Sequence, residues 1–214
     1  RFRLPMLNIL GRPTSINVRK VLWLCHELDI PFVNTPWGDG DASRALDAPA
    51  FVALNPNKMV PVIDDDGFVM WESNSILRYL AATRERADLY PVAPRERARV
   101  DQWIDWQASD LNPAWVYPFK SLVRNAPGYD DARMVANSVA RWKELMGVLD
   151  QQLQSTQAFI CGKTFTLADI AVGLAVHRWF ATPIERPPLD AVAAYYERLS
   201  QNEGFRRYGR NGTP

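Results

Sequence analysis

The sequence predicts two parts in tandem: a small α/β domain over residues 1–82, with helices packed on a mixed sheet, and an all-helical domain over 94–214. Three observations carry this. The first 82 residues read β-α-β-(α)-β-β-α, alternating short apolar runs with helical spacings. Residues 83–93 read as a linker, and prolines at 91 and 94 mark its end. Beyond it, nearly every apolar pattern has the helical period.

Leu7-Asn8-Ile9-Leu10 is a short apolar run ended by Gly11-Arg12-Pro13, which predicts a buried strand and a turn. Val18, Val21, Leu22, Cys25 and Leu28 then recur at spacings of three and four, one face of a helix. Thr14 or Ser15 stands at its N-cap. Residues 31–35 predict a second strand, 37–41 a loop, and 51–54 a short segment before the turn Asn55-Pro56-Asn57. Val60-Pro61-Val62-Ile63 starts a strand, 64–67 is a hairpin turn, and Phe68–Trp71 is the partner strand. Ser73 opens a helix with Ile76, Leu77 and Leu80 inward.

In the second part, 95–107 is a charged helix with Val100, Trp103 and Ile104 inward. Residues 112–118 are a proline-interrupted stretch. Ala132, Val135, Ala136, Val139, Trp142, Met146 and Leu149 form a long stripe, and 166–180 and 189–199 are two further helices. Thr166-Leu-Ala-Asp169 is a capping box, with Phe165 and Ile170 where a hydrophobic staple would lie.

Composition narrows the chemistry. A chain of 214 residues with 25 Lys+Arg and 24 Asp+Glu has a net charge of +1, balanced in both parts, which disfavours a nucleic-acid partner. Two Cys make no disulfide framework and suit a reducing cytosol, so a cytoplasmic location is expected. Two His leave little material for a metal site, and none is expected. No apolar run approaches the roughly 20 residues of a membrane span. The start is basic but lacks a leader's apolar stretch, and Met6 is read as the natural start, the first five residues being an addition. Cys25 reads as core filling, and no C-x-x-C occurs. Cys161 reads as structural, His26 as a surface residue and His177 as a satisfied interior group.

Pro61 stands where a strand should begin. Proline confines itself to strand starts, edges and bulges, and X-Pro bonds tolerate cis. With Glu72-Ser73 at a helix start beyond the hairpin, it suggests a binding corner. The backbone of Val60 would pair with an extended peptide, and the N–H groups at Ser73 would attract an anion. A tight turn plus a capped helix is the competing reading.

Here the sequence resembles the glutathione S-transferase family over essentially its whole length. The carriers are Ser15-Ile-Asn-Val-Arg-Lys-Val21, Asn55-Pro56-Asn57, Val60-Pro61-Val62-Ile63, Trp71-Glu72-Ser73-Asn74-Ser75-Ile76, Arg99-Val100-Asp101-Gln102-Trp103 and the Phe165-to-Asp169 run. The type is similar to bacterial theta- and nu-like enzymes. The resemblance implies a thioredoxin-like α/β N-terminal domain, an all-α C-terminal helical domain and glutathione as co-substrate, with no metal. It implies that Pro61 is a cis-proline, that Val60 pairs with the cysteinyl backbone, and that Glu72 and Ser73 hold the γ-glutamyl end. It also implies that Asp101 reaches glutathione across the interface of a homodimer. One position departs: the family commonly has Lys or Gln before Val-Pro, and here Lys58-Met59 precedes. Met59 offers no donor to a glycyl carboxylate, and Lys58, one residue early in an extended segment, points elsewhere.

The implied chemistry is thiol activation. A thiol has a reference pKa of ~8.5 and only the thiolate is nucleophilic. A hydroxyl donor at a helix N-terminus lowers that value. Ser15 matches the catalytic hydroxyl, its alternative being a plain N-cap. Asn17 matches an asparagine near the sulfur, and Thr14 is a third candidate. Trp106, Trp115 and Tyr117 are candidates for an apolar acceptor pocket for a small hydrophobic electrophile, against the alternative of core or interface packing. The expected function is glutathione transfer by conjugation, dehalogenation or peroxide reduction. The competing expectation is a catalytically idle, transferase-like protein-interaction module.

Overall fold

A computed structural model describes residues 6–214. The expectation that residues 1–5 are an addition falls outside the described residues. The chain divides into two compact units between Arg86 and Ala87.

The first unit is a four-stranded mixed sheet with helices. Its strands are β1 (Leu7–Leu10), β2 (Phe32–Thr35), β3 (Val62–Asp65) and β4 (Phe68–Trp71), in the order β2-β1-β3-β4. β1 pairs parallel with β2, Leu7 facing Phe32, and antiparallel with β3, Ile9 facing Ile63. Leu7 and Ile9 are buried while Asn8 between them is exposed, the period-2 signature of a strand with one apolar face. β3 begins one residue after Pro61, which has no N–H to give a ladder. The hairpin turn is tighter than expected. β3 runs on to Asp65, and Asp66 and Gly67 alone make the turn, with φ of 53° and 87°. Two positive φ values match the twist of the flanking strands.

Helix α1 (Ile16–Glu27) carries the expected face of Val18, Val21, Leu22 and Cys25. It is buried further round than that stripe implies, because Trp23, Leu24, Arg19 and Lys20 are interior too. The short segment near residue 51 is a one-turn helix, α2 (Pro49–Val52), and α3 (Ser73–Thr83) buries Ile76, Leu77 and Leu80 as expected.

The second unit is helical. α4 (Pro94–Trp106) continues through a five-residue π-helical stretch, Gln107–Leu111, into α5 (Asn112–Leu122). The proline-interrupted stretch is therefore a helix. Pro113 sits in its first turn, where no N–H is needed, and Pro118 is accommodated within it. α6 (Ala132–Thr156) starts on Asp131, whose carboxylate accepts from the N–H groups of Arg133 and Met134. Its buried face begins at Trp142; the earlier stripe positions are half-buried or exposed. α7 (Leu167–Ala181) is the core helix, buried on all sides, and its capping box forms. α8 (Asp190–Leu199) and a short α9 (Glu203–Tyr208) complete the unit. No helix among the described residues is long and apolar enough to cross a membrane.

Candidate active site

The site in the first unit is built where three backbone segments meet: the β1–α1 turn, the corner before β3, and the start of α3. Gly11 makes the first meeting possible. Its φ is 148°, and a Cβ there would stand 2.6 Å from Val18 Cγ2 and 2.9 Å from Val60 Cβ. Only glycine lets the turn lie this close to Val60. The Val60–Pro61 bond is cis, as the sequence led one to expect.

Asn55 organises the approach to that corner. Its Nδ2 donates to the Met59 carbonyl at 2.8 Å, and its Oδ1 accepts from the Asn57 N–H at 3.0 Å. Lys58 is left-handed, with φ of 56°, and donates its N–H to the Asn55 carbonyl. The expectation of an extended segment at Lys58 is thereby corrected: the chain turns there before straightening into Val60. Met59 is 61% exposed, its side chain apolar and open to solvent.

Ser15 occupies the N-cap of α1 with extended backbone angles, yet its side chain makes no cap hydrogen bond. The position and the job separate: the residue sits at the positive end of the helix dipole while its hydroxyl is not consumed by a helix N–H. Arg12, three residues earlier, donates from Nη1 to the Gly38 carbonyl at 2.6 Å and so ties this turn to the loop after β2.

Glu72 and Ser73 open α3. Glu72 has φ of 76° and ψ of 105°, a conformation an L-residue holds only when the surroundings impose it. Such positions cluster at ligand clamps. Ser73 is 6% exposed and is the first residue of the helix, so its N–H is among those that the helix leaves for a ligand. Asn17 lies against this second corner: Ser73 Oγ donates to Asn17 Oδ1 at 3.4 Å. The structure thus joins two predicted site residues, Asn17 and Ser73.

Two residues here escaped the sequence reading. Lys20 is 1% exposed, and its Nζ donates to Asn74 Oδ1 at 3.0 Å. A spacing of three from Asn17 was the available signal, since both then lie on one helix face.

The remaining candidates belong to the second unit. Asp101 lies on α4 and accepts from the Tyr90 hydroxyl at 3.2 and 3.3 Å. Trp106 packs edge-on against Trp103 at 5.0 Å. Trp115 is buried beneath the Arg178 guanidinium at 4.3 Å, while Tyr117 is half-buried against Tyr129 at 5.0 Å. Trp115 and Tyr117 are two residues apart and leave α5 on different sides, so the three rings do not form one wall. His177 is a satisfied interior group, Nε2 against the Thr213 carbonyl at 2.7 Å and Nδ1 against Tyr196 Oη at 3.0 Å.

Comparison with known proteins follows the same division. Residues 14–83 match the glutathione S-transferase N-terminal domain and residues 130–198 the C-terminal domain. The chain is 31% identical over 205 residues to glutathione S-transferase GstB of Escherichia coli, covering 94% of this chain and 97% of that one. It is similar to the crystal structure of a theta class glutathione S-transferase from Xanthomonas axonopodis pv. citri with glutathione bound, at TM-score 0.90 and 37% identity, covering 98% and 100% of the two chains. It is also 29% identical over 167 residues to elongation factor 1-gamma of Rattus norvegicus, covering 67% of this chain and 36% of the relative.

Proposed function

The chain belongs to the glutathione S-transferase family, and from that premise we propose that it binds glutathione at the β1–α1, Val60–Pro61 and Glu72–Ser73 corners and activates its thiol beside Ser15. The observation that carries this reading is the uncommitted Ser15 hydroxyl at the N-terminus of α1. A hydroxyl donor and the helix dipole both favour the thiolate over the thiol. The thiol proton leaves to solvent. The thiolate sulfur forms its new bond to the electrophile as the leaving group departs with its electron pair. Conjugation, dehalogenation and peroxide reduction all begin with this ionisation, and conjugation to a small hydrophobic electrophile is the reaction proposed.

The Val60 backbone pairs with the cysteinyl residue, Ser73 receives the γ-glutamyl carboxylate and Glu72 the ammonium. With Met59 open to solvent, the glycine end is held without a side-chain donor from that position. A cytoplasmic homodimer with Asp101 at the partner's site is part of the proposal. Exposed Phe68 and Trp71 on the edge strand β4 favour a covered surface there.

The likeness to elongation factor 1-gamma, a relative whose name carries no transferase activity, favours a second reading, a binding module without turnover. Retention on immobilised glutathione together with conjugating turnover supports the enzyme. No retention and no turnover would leave the module.

A further inference from the structure

Asn17 and Ser73 join the starts of two helices. Asn17 is the second residue of α1 and half-buried, and Ser73 is the first residue of α3 and buried. Ser73 Oγ donates to Asn17 Oδ1 at 3.4 Å, longer than the roughly 2.7–2.8 Å that a hydroxyl bond to oxygen prefers. A hydroxyl has one proton to give, and a carboxylate only accepts. Ser73 therefore cannot keep its proton on Asn17 and also give it to a carboxylate. The amide of Asn17 resolves that conflict, because it carries an acceptor and a donor on one planar group. A half-turn about its last torsion puts Nδ2 where Oδ1 was. Nδ2 then donates to Ser73 Oγ, and the Ser73 proton points at the ligand. The bond given up is long and neutral, whereas the bond gained is charge-assisted and stronger.

We infer that Asn17 is a positioning residue that switches from accepting to donating toward Ser73 Oγ when a γ-glutamyl carboxylate binds, and so directs the Ser73 proton onto that carboxylate. The inference rests on the glutathione reading and deepens it. The N-terminus of α1 serves the sulfur through Ser15. Asn17, expected near the sulfur, serves the far end of the same ligand through Ser73.

The test compares dissociation constants, by calorimetry, for glutathione and for an analogue whose γ-glutamyl group is replaced by 4-aminobutyryl, which keeps the ammonium and the thiol and lacks the carboxylate. The native protein is expected to prefer glutathione by about tenfold or more. Asn17→Leu, close in size but unable to donate, shrinks that preference by about fivefold. Asn17→Ala does the same and carries the test should Asn17→Leu fail to fold. Ser73→Ala also shrinks the preference, and adding Asn17→Leu to it changes the preference no further, because Asn17 acts through the Ser73 hydroxyl. An unchanged or increased preference in the Asn17 variants overturns the switch. Equal weakening of both ligands does so too, since it places Asn17 at the sulfur they share. A full Asn17 effect without the Ser73 hydroxyl overturns action through Ser73. A native protein that binds both ligands equally overturns the assignment of the carboxylate to Ser73, and with it the role of Asn17. A native protein that binds neither overturns the glutathione reading itself.

Discussion

At Ser15 two jobs common to serine at a helix start come apart. A capping serine lends its oxygen to a helix N–H, and losing it costs about 1 kcal/mol. Ser15 makes no such bond, so Ser15→Ala should leave the melting temperature nearly unchanged. Turnover with glutathione should fall tenfold or more while glutathione affinity is kept, because general acid–base and charge-stabilising donors contribute roughly 10²–10⁴-fold. A stability loss with intact turnover would return Ser15 to plain capping and move the chemistry to Asn17 or Thr14. Gly11 gives a second residue-scale prediction. Gly11→Ala forces a Cβ against Val18 and Val60 in a backbone region that L-residues avoid, so it should destabilise the first unit by about 1–3 kcal/mol in a denaturant titration. It should also weaken glutathione binding, since Val60 must shift. Ser15, Glu72 and Ser73 were legible as candidates, and as helix starts, because their motifs stand at the ends of patterned helices. Lys20 was not, because an amphipathic reading assigns a lysine to solvent unless its partner, 54 residues away, is known.

Among the elements, α7 depends on one carboxylate. Asp169 accepts from the Thr166 N–H at 2.8 Å and the Thr166 hydroxyl at 3.2 Å, from the Ile160 N–H at 3.1 Å and from the Tyr195 hydroxyl at 2.9 Å. It ties the start of the core helix to the preceding loop and to α8. Asp169→Ala strands those donors in the interior and should cost about 3 kcal/mol or more, measured by denaturant unfolding. Burial pushes the Asp169 carboxyl up to about 6 against its four donors. The folded state therefore holds this proton more tightly than the unfolded chain. Its contribution to stability is full below about pH 4 and is lost as the pH rises through about 6. The stability gap between the native protein and Asp169→Asn should accordingly be larger near pH 4.5 than near pH 7.5. The capping box was legible four residues at a time. The π-helical stretch and α5 were not, because Pro113 and Pro118 read as breakers, although a proline in a first turn costs a helix nothing. The strands were legible as short apolar runs bounded by turn signals, whereas the turn at Asp66-Gly67 was read too wide: three consecutive aspartates blur where a strand ends.

For the whole molecule, two units divide the chain between a sheet domain, where the glutathione corners are proposed, and a helical domain richer in tryptophan. A chain with two Cys and two His looked poor in chemistry, and the structure gives those residues other duties. Burial pushes the Cys25 thiol up to about 12 and the Cys161 thiol up to about 11. Neither should react with iodoacetamide at neutral pH in the folded protein, as mass spectrometry would record. The reactive sulfur is then the ligand's own. Because the protein's thiols stay protonated through the neutral range, thiolate absorbance gained there on adding glutathione belongs to the bound tripeptide. Titrating that absorbance with pH tests the central claim most directly. The bound thiol should ionise about two pH units below its free value of ~8.5, and Ser15→Ala should move the midpoint back upward. A midpoint equal to that of free glutathione, or one that Ser15→Ala leaves in place, would contradict activation at the N-terminus of α1.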